Sequence, residues 1–277
     1  MVAVIALAAL ALLVARSRPL ARFVGGIEPL LYASGLTEPR ALLSLPDGTI
    51  VLAEETDSGR RVVEVGVDGQ LTPAAGPEAP NRALGVAGVW AVAAGSDGTF
   101  LATLPGTGRL VRLTPGDEAQ PREVATFIGS DGVNPMPTGV AVAPDGAVYV
   151  ALFATAPDRG GTGKVARVEP DGRWEIAFDT LSFPTGLGFD ALGQLYVLEL
   201  AQRFDTRSGS PAAGTGRVMA IGPQRYQRRT LIRDLALPAG LVFTPAGDLY
   251  LAENAYHAAA GEARLLRVPA QGLRPRG

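Results

Sequence analysis

Three glutamates in this chain of 277 residues share one sequence context. Glu54, Glu199 and Glu253 each close an apolar run at the sixth position after a turn glycine, and Asn254 follows the last of them. Carboxylate and amide oxygens gathered in this way are the ligands of a hard divalent cation such as Ca2+. The same residue type at a strand end also accepts backbone N–H bonds and holds its own loop, and the sequence leaves both roles open. A second column lies eight positions before the same glycines and reads Arg40, Trp90, Thr138, Thr185 and Ala239. Arg40 suits an anion or a bridge between elements, Trp90 a flat ligand or a plug, and the two threonines add hydroxyls beside them. His257, the single histidine, stands in the run AENAYHAAAGEA that begins at Ala252. It has the chemistry of a general base, with no partner acid or nucleophile in view. One histidine excludes a metal site built from two or three, and the absence of cysteine excludes disulfides, thiol catalysis and thiolate zinc.

Both columns depend on a repeat. Similar segments begin at Leu36, Val86, Asn134, Leu181 and Leu235, each with an apolar strand, a turn, and a second apolar strand. The turn glycines, Gly48, Gly98, Gly146, Gly193 and Gly247, recur about every 50 residues. Asp-Gly is the pair that supplies positive φ to a two-residue hairpin turn, which is the expectation here. Third strands follow as GRRVVEV, GRLVRL, GKVARV, GRVMAI and ARLLRV, and fourth strands as REVATFI, WEIAFDT and RRTLIRD. Four antiparallel strands per repeat make a propeller blade. The expected fold is therefore all-β: a single closed β-propeller of about five four-stranded blades over 27–270, behind an N-terminal hydrophobic helix. The fifth repeat ends after its third strand, while Ile27–Gly35 precedes the first without a partner. Pairing Ile27–Gly35 as the outer strand of the last blade would close the circle and cover an edge. In such blades the short turns share one face. The long loops Ala154–Thr162, Ala201–Thr215 and Ala255–Gly261 share the other, as do both residue columns, around the mouth of the central channel. Long loops on a rigid scaffold commonly carry binding, although a surface loop also lengthens at little cost.

Composition narrows the partners. Net charge is −2, with 25 basic against 27 acidic residues and no basic stripe, so nucleic acid is not an expected partner. Val2–Ala15 is uncharged and free of turn formers. As a helix it spans roughly 21 Å, short of a ~30 Å hydrocarbon core. Its length fits the apolar part of a signal peptide, so residues 1–16 are expected to be a signal peptide or anchor and 17–26 a linker, with a tail at 271–277. Arg16, Arg18 and Arg22 follow rather than precede it, which by the positive-inside rule favours a cytoplasmic propeller; a buried core helix is the remaining alternative. Export or outward anchoring is the expectation, with membrane contact only through residues 2–15.

The strings MPTGVAVAPDGAVYVALF, FPTGLGFDALGQLYVLEL and LPAGLVFTPAGDLYLAENAYHAAAGEARLLRV add a resemblance. Over roughly residues 36–270 the chain resembles the scytonemin-biosynthesis (ScyD/ScyE-type) propellers, within the wider NHL and gluconolactonase/strictosidine-synthase-like superfamily. The resemblance implies a propeller that commonly has six blades, where five repeats are counted here. For the gluconolactonase-like enzymes it implies a Glu, Asn and Asp set around the channel holding a divalent metal. Their Pro-Asn-Gly motif corresponds to Pro137-Thr138-Gly139 and Pro184-Thr185-Gly186, where threonine is the poorer ligand; Glu38-Pro39 is similar to their first-blade glutamate. A quinone-dependent sugar dehydrogenase, a further relative, needs a histidine-containing basic pocket that one histidine does not supply. The expected function is small-molecule or protein binding on the long-loop face without catalysis or cofactor. The alternative is a divalent-metal-dependent, lactonase-like hydrolase at the channel mouth.

Overall fold

The computed structural model describes residues 22–23, 28–74, 79–95, 97–117, 120–129, 135–153, 161–222, 227–256 and 259–273. The expected helix over 2–15, His257 and most of the 154–162 loop lie outside the described residues. Among those described, no helix is long and apolar enough to cross a membrane.

The architecture is all-β, an arrangement of five propeller blades. Two strands precede the first blade, β1 (Arg22–Phe23) and β2 (Leu30–Leu36). Blade one contains β3 (Pro39–Ser44), β4 (Ile50–Thr56), β5 (Gly59–Val65) and β6 (Leu71–Pro73), and blade two β7 (Ala91–Ala94), β8 (Phe100–Leu104), β9 (Arg109–Leu113) and β10 (Arg122–Thr126). Blade three has β11 (Met136–Val142), β12 (Val148–Phe153), β13 (Gly163–Val168) and β14 (Trp174–Leu181). Blade four has β15 (Pro184–Phe189) and β16 (Leu195–Glu199), then a small hairpin of β17 (Phe204–Asp205) and β18 (Ser210–Pro211), then β19 (Gly216–Ile221) and β20 (Arg228–Leu235). Blade five supplies β21 (Ala239–Phe243), β22 (Leu249–Glu253) and β23 (Ala263–Val268). Its fourth, outer strand is β2, which runs antiparallel to β23 with Leu30 opposite Arg267 and Ser34 opposite Arg264. Within the 17–26 span, Arg22 and Phe23 add a short fifth strand to the edge of blade four, opposite Arg233 and Ile232. The sequence does not announce the helix Ala79–Gly85 that joins blades one and two.

The hairpin turns differ from the two-residue form expected. In the first, Leu45 N–H donates to Thr49 O and Gly48 N–H to Leu45 O. The loop is thus three residues, Pro46-Asp47-Gly48, with positive φ at Gly48 alone. The turns at Gly98, Gly146, Gly193 and Gly247 repeat this bonding. The aspartate's task is therefore not positive φ. Asp47 Oδ1 instead accepts the Thr49 N–H at 2.9 Å, as Asp145 does from Ala147 at 3.0 Å.

Five apolar layers hold the blades together, one between each adjacent pair. Leu43, Val51 and Phe100 join blades one and two; Leu101, Val140 and Val150 join two and three. Val165, Leu187 and Val197 join three and four; Leu198, Leu241 and Leu251 join four and five. The fifth layer packs Leu36, Ala252 and Leu265 of blade five on Leu42 and Leu52 of blade one. Second strands are covered on both faces, which is why β16 and β22 are buried at every position while most of the outer β14 and β20 is half-buried or exposed. First strands pack closely at Gly186: a Cβ there would meet Leu241 N and Cβ at 3.2 Å, tighter than ordinary contact.

Candidate functional site

Each of the three glutamates is fully buried and is bound within its own blade. Glu54 Oε1 accepts the Thr37 N–H at 2.5 Å, and Oε2 receives Arg61 Nε at 2.6 Å. Glu199 accepts Ser182 N–H at 2.7 Å and Arg217 Nε at 2.6 Å. Glu253 accepts Ala236 N–H at 2.8 Å and Arg264 Nε at 2.7 Å. The backbone donor lies seventeen residues earlier every time. The arginine stands directly opposite on the third strand. This is one latch built three times: it ties the segment entering a blade to that blade's second and third strands. Both oxygens have strong donors and the charge is neutralised, so the set does not fit a cation. Among the described residues no three acidic or histidine side chains gather to hold a metal. Asn254 turns the chain at positive φ (54°), its N–H bonded to Ala236 O at 2.7 Å.

The threonines of the second column are buried and point to the next blade. Thr138 Oγ1 donates to Pro184 O at 2.7 Å, and Thr185 Oγ1 to Pro238 O at 3.3 Å. They staple the blades together and present no free hydroxyl.

Arg40 and Trp90 do come together, with a residue the sequence columns do not mark. The Arg40 guanidinium lies between two rings, its Cζ 4.9 Å from the Trp90 centroid and 4.2 Å from that of Tyr256. The rings are 5.8 Å apart and tilted by 33°. Arg40 is only 6% exposed. It donates to Pro39 O at 3.1 Å and to Ala255 O, and pairs with Glu38 at 3.2 Å. The guanidinium thus spans blades five, one and two. Tyr256 carries no repeat signature because the loops between second and third strands differ from blade to blade.

This corner also carries unmet hydrogen bonds. Trp90 Nε1, Tyr256 OH and, near Arg40, Arg60 Nη2 are buried without a well-formed hydrogen bond among the described residues, and the Trp90 N–H lies close enough to the Tyr256 hydroxyl to pull its pKa down. All three can donate, and two of them have no acceptor character at all. Arg60 is held by Leu84 O at 2.6 Å through Nε and by Glu55. Burial lowers its pKa, and the nearby Arg40 charge lowers it further. Burial pushes the Tyr256 phenol up to about 12, against the pull of Arg40, so it remains a neutral donor. A site made of two arginines and unpaired N–H and O–H groups is built to receive acceptor oxygens.

The opposite face has a feature of its own. A cavity of about 620 Å3 runs beneath the first turn of blade four, between Tyr149 of blade three and Pro245 of blade five. The expectation that binding belongs to the long-loop face did not anticipate it.

No protein-family model matches the chain, and no curated protein does. Solved structures do. A carbohydrate-active protein of family AA12 from Trichoderma reesei is 13% identical at a TM-score of 0.53, covering 90% of this chain and 98% of that one. A gluconolactonase from Xanthomonas campestris is 15% identical at 0.51, covering 91% and 96%. An oxidoreductase of Thermus thermophilus, assigned as a glucose dehydrogenase, is 19% identical at 0.51, covering 87% and 99%. At such identities the likeness extends to the fold alone, and the fold it supports is the β-propeller.

Proposed function

We propose that this propeller binds a small, oxygen-rich molecule of the sugar-acid class at the mouth formed by Arg40, Trp90 and Tyr256. The observation that carries the reading is the Arg40 guanidinium held between the Trp90 and Tyr256 rings, beside buried N–H and O–H groups that lack a well-formed acceptor. Leaving such groups unmet costs roughly 1–3 kcal/mol each, a cost that a ligand with carboxylate and hydroxyl oxygens removes. The flat rings give it a face to stack on. We take the ring of blades to be closed through β2, which keeps the Tyr256 loop against Arg40, and the propeller to lie outside the cytoplasm behind residues 2–15.

Calorimetric titration with D-gluconate, citrate and phosphate tests the reading. Saturable binding is expected for at least the sugar acid, weakened at least about tenfold in the Trp90→Phe/Tyr256→Phe double variant. That variant keeps both rings and loses both donors. Equal affinity in the two proteins would overturn the assignment. The likeness in fold to a gluconolactonase favours a second reading, hydrolysis of a lactone at the same mouth. It predicts consumption of glucono-1,5-lactone above the solvent rate and loss of that activity in the double variant.

A further inference from the structure

The cavity beneath blade four is walled by three blades. Tyr149 and Phe178 come from the third, Phe189 and Tyr196 from the fourth, Pro245 and Leu273 from the fifth side. Its rings support one another: Tyr149 and Phe189 lie 5.2 Å apart, and Tyr196 packs on Phe243 at 4.9 Å. About 620 Å3 is room for an organic molecule of two or three fused rings.

The two charged residues of the described lining differ in what they have left to offer. Asp190 is spent. Its Oδ1 accepts the Leu192 and Gln194 N–H groups at 3.0 and 2.9 Å, and its Oδ2 accepts the Tyr196 hydroxyl at 3.2 Å. Burial, followed by the Asp190 charge, pushes the Tyr196 phenol well above its usual range, which keeps it in that role. Arg229 is the one basic side chain on the described lining. It forms no ion pair among the described residues, and its hydrogen bond is a long one, Nη2 to Leu273 O at 3.4 Å. A ring-walled cavity with a single unmatched cation at its edge selects for a flat apolar molecule bearing one negative charge.

We infer that this cavity is a second binding site, specific for a flat, apolar monoanion whose rings lie against Tyr149, Phe178 and Phe189 and whose carboxylate or sulfonate meets Arg229. It shares no residue with the mouth at Arg40, so either site can fail without the other.

Two dyes that differ by one sulfonate group test it on the intact chain: 8-anilinonaphthalene-1-sulfonate and its neutral parent, N-phenyl-1-naphthylamine. Fluorescence titration should give one saturable sulfonate site per chain. Arg229→Gln should weaken the sulfonate about tenfold and the neutral dye less than about twofold. Ala246→Trp, which places a ring in the cavity, should abolish both; Leu192→Trp serves if that variant does not fold. The Trp90→Phe/Tyr256→Phe variant should bind both dyes unchanged. Absence of a saturable site, binding that survives the blocking tryptophan, or equal loss of both dyes with Arg229→Gln would each overturn the inference.

Discussion

A buried carboxylate is tolerated only where donors meet its lone pairs and a cation meets its charge. Glu54, Glu199 and Glu253 have both within their own blades. Glu199→Ala leaves Arg217 and the Ser182 N–H without their partner, and is expected to destabilise by about 3 kcal/mol in urea unfolding. Excess Ca2+ should leave the melting temperature of the wild type unmoved; a cation-dependent rise that disappears in the variant would restore the metal role. The column was legible in the sequence, and its loop-holding role stood there as one of two; the arginine partner did not. The distinguishing signal is the basic residue at the start of the third strand, as in Gly59-Arg60-Arg61 and Gly216-Arg217, which only the strand register places opposite the glutamate. The unpaired donors make the reverse prediction. Tyr256→Phe removes a buried hydroxyl that has no well-formed hydrogen bond and should raise stability by about 1 kcal/mol. A loss of stability would mean the hydroxyl is satisfied. At the turns, the Thr99 hydroxyl and N–H hold the Asp97 carboxyl below its usual value of 3.8, and the Thr49 N–H does the same for Asp47. Carboxyls with lowered folded-state pKa add stability above that value and lose it as pH falls through the folded one. Melting temperature should therefore drop more steeply below about pH 4 in the wild type than in Asp47→Asn/Asp97→Asn.

At the scale of elements, the repeat was readable because each blade needs the same apolar second strand and the same glycine before it. The turn geometry was misjudged because Asp-Gly fits two loop lengths. Only the Leu45–Thr49 bonding distinguishes a three-residue loop, in which the aspartate bonds the backbone, from a two-residue one with positive φ at both positions. The helix Ala79–Gly85 escaped because seven residues carry too little periodicity to register. Glycine in the first strands has a different cause, the near contact of neighbouring blades. Gly186→Ala should cost about 1–3 kcal/mol by overpacking against Leu241. Nothing lies within 4 Å of a Cβ at Gly146, where φ is 85°; Gly146→Ala costs only the backbone strain, about 1–2 kcal/mol. A larger loss at Gly146 than at Gly186 would contradict the packing argument.

The described residues form five blade sheets and one small hairpin, and the apolar layer that packs Ala252 and Leu265 on Leu42 and Leu52 uses a strand from early in the chain. That pairing was visible in the sequence as a missing strand at one end and a surplus one at the other. The Arg40 corner was visible only in part. Arg40 and Trp90 stood out by position, but Tyr256 reaches them from a loop without a repeat. The cavity beneath blade four could not be read at all, since its walls come from three separate blades. A chain beginning after Leu36 should lose cooperative unfolding and associate through the exposed edge of β23. The mouth itself can be watched directly, because the chain has two tryptophans. In a Trp174→Phe protein, Trp90 is the sole indole. Titration with D-gluconate should then shift its emission saturably, with the midpoint found by calorimetry. Heat of binding with no change in Trp90 emission would mean that the ligand sits elsewhere and that the Arg40 corner is not the site.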